Sequence, residues 1–186
     1  MPIRVIGGIA KGRKLKLVPG GGTRPIMDRV KEALFSILGE RVVDANFLDL
    51  YAGTGSVGIE ALSRGAAHAT FVENAKLAIQ TIKANLSHVG LESLAEVVRA
   101  DVRDYLRAAP RACFELIYIA PPQYCGLWLE TLQLLDENIE HLCLDGWAIV
   151  QIDPQERQAV DLRNLQPIDE RKYGNTLLWF FERSSA

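Results

Sequence analysis

The chain has 186 residues, of which 48% are hydrophobic and 24% are charged. These values are typical of one folded domain with room for a small extension, and they exclude a disordered or collagen-like chain. No apolar run reaches the ~20 residues of a membrane-spanning helix, and the first residues lack the apolar stretch of a secretory signal. Cys113, Cys125 and Cys143 are odd in number and show no Cys-x-x-Cys spacing. We therefore expect neither a disulfide framework nor a zinc site, and a reduced cytosolic setting.

Positive charge is concentrated at the start of the chain. The whole chain has a formal net charge of −2, but residues 1–31 carry +7 and residues 32–186 carry −9. A cluster of cations attracts a polyanion, and each phosphate that it neutralises releases counterions. We therefore favour nucleic-acid binding over a solvated arm that merely balances an acidic body. The candidate contact residues are Arg4, Lys11, Arg13, Lys14, Lys16, Arg24 and Arg29.

The first 22 residues are predicted to form a small basic hairpin. Residues 3–6 and 14–18 are short β-prone runs on either side of a glycine-containing turn. In the second run, a period of two places both lysines on one face and both leucines on the other. The breaker Pro19-Gly20-Gly21-Gly22 follows. Asp28 can then cap a helix that has apolar residues at helical spacing and that Gly39 can end.

From residue 46 onwards, short apolar runs alternate with helical stretches. Strands are predicted at 46–51, 70–73, 96–100, 114–119 and 147–152, and helices at 57–64, 75–88, 101–108 and 127–144. This alternation is typical of a parallel sheet with right-handed crossovers and helices on both faces. Residues 167–173 and 176–182 flank Gly174-Asn175, which is a hairpin signal, so the last strand is expected to run antiparallel.

The sharpest motif is Leu48-Asp49-Leu50-Tyr51-Ala52-Gly53-Thr54-Gly55-Ser56-Val57-Gly58, where a predicted strand gives way to a helix. Gly53 and Gly55 allow a tight turn that brings backbone N–H groups close to a ligand. The pattern matches the dinucleotide fingerprint, but Asp49 would oppose a pyrophosphate and suits a cofactor with a cationic amino group, such as S-adenosylmethionine. The alternative for Asp49 is a helix cap or a salt-bridge partner. The candidate cofactor-binding residues here are Asp49, Ala52, Gly53, Thr54 and Gly55.

Two further carboxylates follow predicted strands. Glu73 comes 18 residues after Gly55 and can accept hydrogen bonds from both ribose hydroxyls of either NAD or S-adenosylmethionine. Asp101 can accept from an adenine amino group, with Val102 packing on the ring, or it can cap the next helix. Ligands of open α/β sheets bind at the carboxyl ends of strands, so we expect these acids to lie together.

The segment Ala120-Pro121-Pro122-Gln123-Tyr124 follows the most apolar predicted strand. Two prolines fix an abrupt turn and leave backbone carbonyls that can accept from an exocyclic amine. Tyr124 can stack on a base that has left its helix. The alternative is a simple loop that ends the strand, with Tyr124 in the core. The candidate catalytic residues are Ala120, Pro121, Pro122, Gln123 and Tyr124.

Taken together, these motifs resemble the bacterial 16S ribosomal RNA guanine-N2-methyltransferase family of class I S-adenosylmethionine-dependent methyltransferases. The matching stretches are residues 4–8, 12–15, 23–25, 28–35, 48–60 and 173–176. The family normally carries Asp-Pro-Pro-Tyr or Asp-Pro-Pro-Phe after the fourth strand. This chain has Ala120 in place of the acid and Gln123 before the aromatic residue, which leaves the Pro121 carbonyl and the Gln123 side chain as acceptors.

The resemblance implies a Rossmann-like α/β fold with a mostly parallel seven-stranded sheet and an antiparallel last strand. It implies a hairpin extension at 1–22 and a methyltransferase domain at 23–186. The implied activity is methyl transfer from S-adenosylmethionine to a guanine N2 amine of 16S rRNA in an assembling small subunit, by a cytoplasmic monomer without metal or membrane partner. Tyr124 is expected to stack on the base and residues 4–16 to hold the flanking RNA. Thr23, Arg24 and Arg29 are expected to line the cofactor or phosphate side, although the two arginines could instead form ion pairs at a helix terminus.

Other functions stay open on the sequence. Pro-Pro-aromatic loops also serve other amines, such as adenine N6 in DNA or RNA or a protein amide. Ala120 leaves room for a non-catalytic RNA- or nucleotide-binding relative. An NAD-dependent oxidoreductase is least favoured, because Asp49 opposes a pyrophosphate and no Tyr/Lys or His catalytic pair is evident.

Overall fold

A small two-stranded sheet opens the fold. The computed structural model describes residues 2–22 and 24–185 of the chain. In the small sheet, β1 (Ile3–Arg4) pairs antiparallel with β2 (Lys14–Leu15). Ile3 and Leu15 are buried in the same core cluster as the first three helices, so the hairpin packs against the main body of the protein.

The predicted hairpin strands extend further than those of the structure. Lys14 and Lys16 are exposed as expected, but Leu17 is 49% exposed and does not share the buried face of Leu15. The period of two fails there because the backbone after Leu15 leaves the strand ladder. Lys16 N instead donates a hydrogen bond to Asn85 Oδ1 at 2.7 Å.

The helix α1 (Asp28–Leu38) ends at Gly39, as predicted. The predicted capping role of Asp28 is wrong, because this residue lies in the first turn and Met27 occupies the cap position without a side-chain bond. The carboxylate of Asp28 accepts from Arg4 Nε at 3.0 Å instead.

The remaining elements form a seven-stranded sheet with helical crossovers. Its strands are β3 (Asn46–Leu50), β4 (His68–Glu73), β5 (Ala95–Arg99), β6 (Phe114–Ile119), β7 (Leu142–Ile152), β8 (Leu165–Tyr173) and β9 (Thr176–Arg183). The helices are α2 (Ser56–Ser63), α3 (Lys76–Val89), α4 (Val102–Arg107) and α5 (Leu127–Glu137). The strand order is β5-β4-β3-β6-β7-β9-β8, and β9 runs antiparallel to both of its neighbours. The predicted α/β fold with a mostly parallel sheet and an antiparallel last strand is confirmed.

Alternating residues of the central strands divide the core into two layers. Phe47 packs with α1, α2 and α3 on one face, while Leu48 and Leu50 pack with α4 and α5 on the other. This alternation follows from the two-residue period of a strand. Asp49 shares the face of Phe47 and thus points towards α2. No helix within the described residues has the length and apolar character needed to cross a membrane.

The predicted helix at 127–144 is too long. Helix α5 ends at Glu137, and a short 3-10 turn leads into β7 at Leu142. Asn138 Nδ2 donates to the Leu134 carbonyl at 2.9 Å, and side-chain bonds of this kind compete with helix continuation. Leu142 then pairs with Phe114 of β6, so strand pairing overrides the helical spacing.

The expectation of no disulfide is also wrong. Cys113 and Cys143 are joined by a disulfide, with their Cα atoms 5.0 Å apart, whereas Cys125 is free and exposed. The two bonded residues are 30 positions apart, so no local spacing marks them. They meet because the adjacent residues Phe114 and Leu142 pair across β6 and β7.

Candidate active site

The turn between β3 and α2 is built from left-handed backbone. Tyr51, Gly53 and Gly55 have φ angles of 60°, 57° and 78°. Only glycine adopts such angles at little cost, so Gly53 and Gly55 let the chain reverse within a few residues. A Cβ added to Gly55 would lie 3.2 Å from Ile82, which leaves little room for a side chain. The loop therefore presents bare backbone at the carboxyl edge of the sheet. We call residues 52–55 the glycine loop.

Asp49 lies beneath the glycine loop and is only 2% exposed. Its Oδ2 accepts from the backbone N–H of Gly58, in the first turn of α2, at 3.0 Å. Burial raises the pKa of Asp49 to about 8, and the charge of Glu73 acts in the same direction. The helix-cap contact given above as the alternative is thus present. A buried carboxylate that is costly to ionise is stabilised by a cation and opposed by an anion.

Glu73 connects the end of β4 to the glycine loop. Its Oε2 accepts from Gly53 N at 2.9 Å, and its Oε1 accepts from Asn74 N at 2.9 Å and from Ala75 N at 3.0 Å. The side chain therefore orders the loop from the neighbouring strand.

Asp101 caps α4, which is the alternative that the sequence left open. Its Oδ1 accepts from Arg103 N at 2.8 Å, and the carboxylate pairs with the Arg103 guanidinium at 3.0 and 2.9 Å. The Arg103 hydrogen bonds lower the pKa of Asp101 to about 2. Val102 is buried in the core layer of α4 and α5.

The loop after β6 carries the candidate catalytic residues. Ala120 is half-buried and Pro121 is buried, whereas Pro122, Gln123 and Tyr124 are exposed. The alternative that places Tyr124 in the core is wrong, because this residue is 64% exposed. Its exposure leaves a ring face accessible, which stacking on a base requires.

A second aromatic residue lies between this loop and Asp49. Tyr118 pairs in register with Asp49 across β6 and β3, and its hydroxyl donates to Gln151 on β7. Burial raises the pKa of Tyr118 well above its ordinary value. The sequence analysis did not select Tyr118 or Gln151, because each is one polar group within an apolar strand.

The seven candidate cations near the chain start, at positions 4, 11, 13, 14, 16, 24 and 29, are all exposed. Lys31 differs from these cations because its side chain is buried. Its Nζ lies 3.4 Å from Glu60 Oε2 and donates to the Arg4 carbonyl at 2.6 Å. The charge of Lys31 is therefore neutralised inside the protein. The expectation for Thr23 lies outside the described residues.

Glu60 is the main residue that sequence reasoning missed. Besides Lys31, it accepts from Ile6 N at 2.9 Å, from Gly7 N at 2.8 Å and from Arg64 Nε at 2.8 Å. It thus connects the hairpin to α2. A single acid inside an otherwise uncharged helix was the available signal, since a buried charge is stable only when it is paired.

Asn85 makes a second connection between the hairpin and the site. Its Oδ1 accepts from Lys16 N, and its Nδ2 donates to the Lys16 carbonyl at 3.1 Å and to the Thr54 carbonyl of the glycine loop at 2.9 Å.

No group of three or more His, Cys, Asp or Glu in the described part of the chain could hold a metal ion.

Comparison with known proteins places these features in a family. The family described as "Conserved hypothetical protein 95" matches residues 3–182. "Putative rRNA methyltransferase YlbH" of Bacillus subtilis is 39% identical over 176 residues, which cover 94% of this chain and 95% of that protein. "Ribosomal RNA small subunit methyltransferase D" of Escherichia coli K12 is 40% identical over 136 residues, covering 73% and 68% of the two chains.

Solved structures share the fold. "Putative methyltransferase yhhF from Escherichia coli" superposes with a TM-score of 0.89 at 32% identity and covers 100% of both chains. An RNA methyltransferase from Salinibacter ruber, solved with S-adenosyl-L-homocysteine, has a TM-score of 0.67 at 13% identity, covers 88% of this chain and 95% of that one, and shares the fold alone. The two curated relatives described above carry the names of rRNA methyltransferases. The chain itself belongs to the family described as "Conserved hypothetical protein 95".

Proposed function

We propose that this protein transfers a methyl group from S-adenosylmethionine to the exocyclic N2 amine of a guanine in small-subunit (16S) ribosomal RNA. The observation that carries the proposal is the meeting of three features at one sheet edge: the bare glycine loop, the buried Asp49 carboxylate and the Pro-Pro-aromatic loop. The names of the relatives support the coarser activity, methyl transfer to rRNA.

The residues at the edge of β3 and β4 fit this methyl donor. S-adenosylmethionine supplies an electrophilic methyl group on a sulfonium and carries a cationic amino group. In its ionised form, Asp49 beneath the glycine loop attracts that cation and would repel a pyrophosphate. Burial raises the pKa of Asp49 to about 8, so a cation bound beside it would also stabilise the ionised form. Glu73 would accept from the ribose hydroxyls, and Asp101 would accept from the adenine amine.

On the acceptor side, the residues 120–124 would orient the base. The Pro121 carbonyl and the Gln123 side chain can accept from the amine, which localises its lone pair, and Tyr124 would stack on the base. Holding the nucleophile in line with the methyl group removes much of the entropic barrier.

The exposed cations of the hairpin would bind the RNA around the target. We propose that this hairpin extension spans residues 1–22 and that the methyltransferase domain spans residues 23–186. Arg24 lies before α1 and Arg29 lies in its first turn. From there, both side chains would reach the phosphates near the target base. We further propose that the enzyme acts as a cytoplasmic monomer on an assembling small subunit.

The decisive experiment is transfer of labelled methyl groups from S-adenosylmethionine to purified small-subunit RNA, with and without its proteins. Digestion to nucleosides should then yield N2-methylguanosine. Label in N6-methyladenosine or in protein would assign another amine as acceptor. Donor binding without transfer to any of these would assign a non-catalytic RNA-binding relative.

A further inference from the structure

The exposed loop after β6 is held by two carboxylates from the end of the neighbouring strand. Tyr124 N donates to Glu156 Oε1 at 2.8 Å, and the Tyr124 hydroxyl donates to Asp153 Oδ2 at 2.6 Å. Tyr124 has a φ of 61°, a conformation that a non-glycine residue keeps only when its surroundings enforce it. Both its backbone and its phenol are therefore fixed in place.

These carboxylates are themselves fixed by a capping box. Asp153 precedes the 3-10 turn Pro154–Glu156, its Oδ1 accepts from Gln155 N at 2.9 Å, and Glu156 Oε2 accepts from Asp153 N at 3.3 Å. This arrangement leaves Asp153 Oδ2 directed at Tyr124. The contact follows from topology, because β6 and β7 are parallel neighbours and both continue past the same sheet edge.

The charges around the pair keep a protonated phenol against an ionised carboxylate. The Tyr124 hydrogen bond lowers the pKa of Asp153, and the same bond raises the pKa of Tyr124. Arg24, from the segment before α1, and Lys172, from β8, face Asp153 and favour its charge, while Glu156 is the other acid beside Tyr124. Near neutral pH the Tyr124 hydroxyl therefore donates to Asp153, and its oxygen keeps lone pairs that can accept from another donor.

The rest of the loop offers no proton acceptor at the end of β6. Ala120 has only a methyl side chain, and a backbone carbonyl such as that of Pro121 can orient an amine but does not take its proton at neutral pH. The amine loses a proton when it is methylated, so a base is needed near the target. Within this loop, the Tyr124 hydroxyl is the group that is hydrogen-bonded directly to a carboxylate side chain, that of Asp153.

We propose, on the basis of the proposed function, that Asp153 acts through Tyr124. It holds the Tyr124 phenol in place and accepts the amine proton by way of the Tyr124 hydroxyl. The nitrogen lone pair forms the N–C bond while the C–S bond breaks and its electron pair stays on sulfur. An N–H proton of the methylated amine passes to the Tyr124 oxygen as the Tyr124 proton passes to Asp153 Oδ2. Asp153 then releases that proton to water, and the charges balance.

The test compares Asp153→Asn, Asp153→Ala and Asp153→Glu with the control Asp161→Asn, an exposed aspartate in the segment after β7. An asparagine can still accept the Tyr124 hydrogen bond but cannot take a proton. We expect Asp153→Asn to lower the rate of methyl transfer to rRNA at saturating donor and RNA about 100-fold, with donor affinity unchanged. Asp153→Glu should recover part of the rate, and Asp161→Asn should match the wild type.

The pH profile separates proton acceptance from mere positioning. In the wild type, the ionised Asp153 adds no pH dependence near neutrality, whereas the rate of Asp153→Asn should rise with pH as hydroxide takes over the proton. A wild-type rate for Asp153→Asn, with loss only in Asp153→Ala, would leave Asp153 as a positioning residue alone and overturn proton acceptance. Parallel losses of rate and donor affinity would overturn the proposal as well.

A measurement without RNA tests the pair itself. Carbon-13 NMR of labelled tyrosines, with Tyr124→Phe to assign the signal, should show that the pKa of Tyr124 falls in Asp153→Asn. An unchanged titration would refute the pairing even in an active enzyme. If the pair titrates as expected but the wild-type protein methylates no rRNA, the proposed function fails, and the proton transfer fails with it.

Discussion

At the edge that carries the glycine loop, the carboxylates of Asp49 and Glu73 accept hydrogen bonds from backbone N–H groups. In the basic hairpin of residues 2–22, the side chains of Lys14 and Lys16 are exposed, and the bond that ties Lys16 to Asn85 comes from its backbone. At the glycine loop, carboxylates therefore hold the backbone in one conformation before a ligand binds. At the hairpin, the lysine charges stay exposed and available to a binding partner. The first arrangement provides orientation and the second provides long-range attraction.

The largest effect, on stability, should come from Glu60, which joins the hairpin to α2 beside the glycine loop. Glu60→Gln leaves the buried Lys31 without its ion-pair partner and weakens the bonds to the hairpin backbone. We expect the free energy of unfolding, measured in urea, to fall by about 3 kcal/mol. The control Glu92→Gln, at an exposed position, should change it by less than about 0.5 kcal/mol. A similarly small loss in Glu60→Gln would show that the hairpin is only loosely attached.

The next effect concerns donor affinity at the glycine loop. Asp49→Ala removes the buried carboxylate and should lower S-adenosylmethionine affinity, measured by calorimetry, about 100-fold. Because burial raises the pKa of Asp49 to about 8, wild-type affinity should also fall as the pH is lowered below that value and the carboxylate takes up a proton. Near-normal affinity in Asp49→Ala, with Asp161→Ala as the control, would contradict the assignment of this edge.

A smaller effect is expected from the hairpin cations. Lys14→Glu combined with Lys16→Glu should weaken RNA binding about 10-fold and reduce the dependence of log affinity on log salt by about 1.5. Donor affinity should not change. Arg107→Glu with Arg163→Glu alters the net charge equally on the layer of α4 and α5, and it should leave the salt slope closer to that of the wild type. An unchanged slope in the lysine variant would remove the hairpin from the RNA interface.

The smallest effect should come from the partly exposed Asp101–Arg103 pair. The pKa of Asp101 is lowered to about 2 by its bonds to Arg103, so the folded state gains stability above the ordinary value of 3.8 and loses it as the pH falls towards 2. Solvent screens this pair, and Asp101→Asn should cost about 0.5 kcal/mol in urea unfolding at pH 7. The difference between wild type and variant should shrink at pH 3. A loss that is constant with pH would mean that the cap, and not the charge, stabilises α4.

Much of the fold was predictable because its signals are local. The period of two, the period of 3.6 and the Gly53 and Gly55 turn each lie within a short window, and parallel strands bring Asp49 and Glu73 to the same edge without further information. The end of α5 was not predictable, because Leu142 joins a strand through pairing with Phe114, which lies far away in the sequence.

The same limit explains what was missed at the site. The composition groups Lys31 with the other cations near the start of the chain. Only the fold shows that Lys31 is buried and that Glu60 neutralises its charge. Asp153 lies 29 residues from Tyr124, so no local motif connects them. The Cys113–Cys143 disulfide is hidden in the same way.

Asn85 connects the glycine loop and the basic hairpin directly. A single buried side-chain amide bonds both the Lys16 backbone and the Thr54 carbonyl, so a displacement of the glycine loop would be transmitted to the basic hairpin. By linkage, any factor by which donor changes RNA affinity equals the factor by which RNA changes donor affinity. If donor binds at the glycine loop and RNA at the hairpin, Asn85 is the residue through which such coupling would pass.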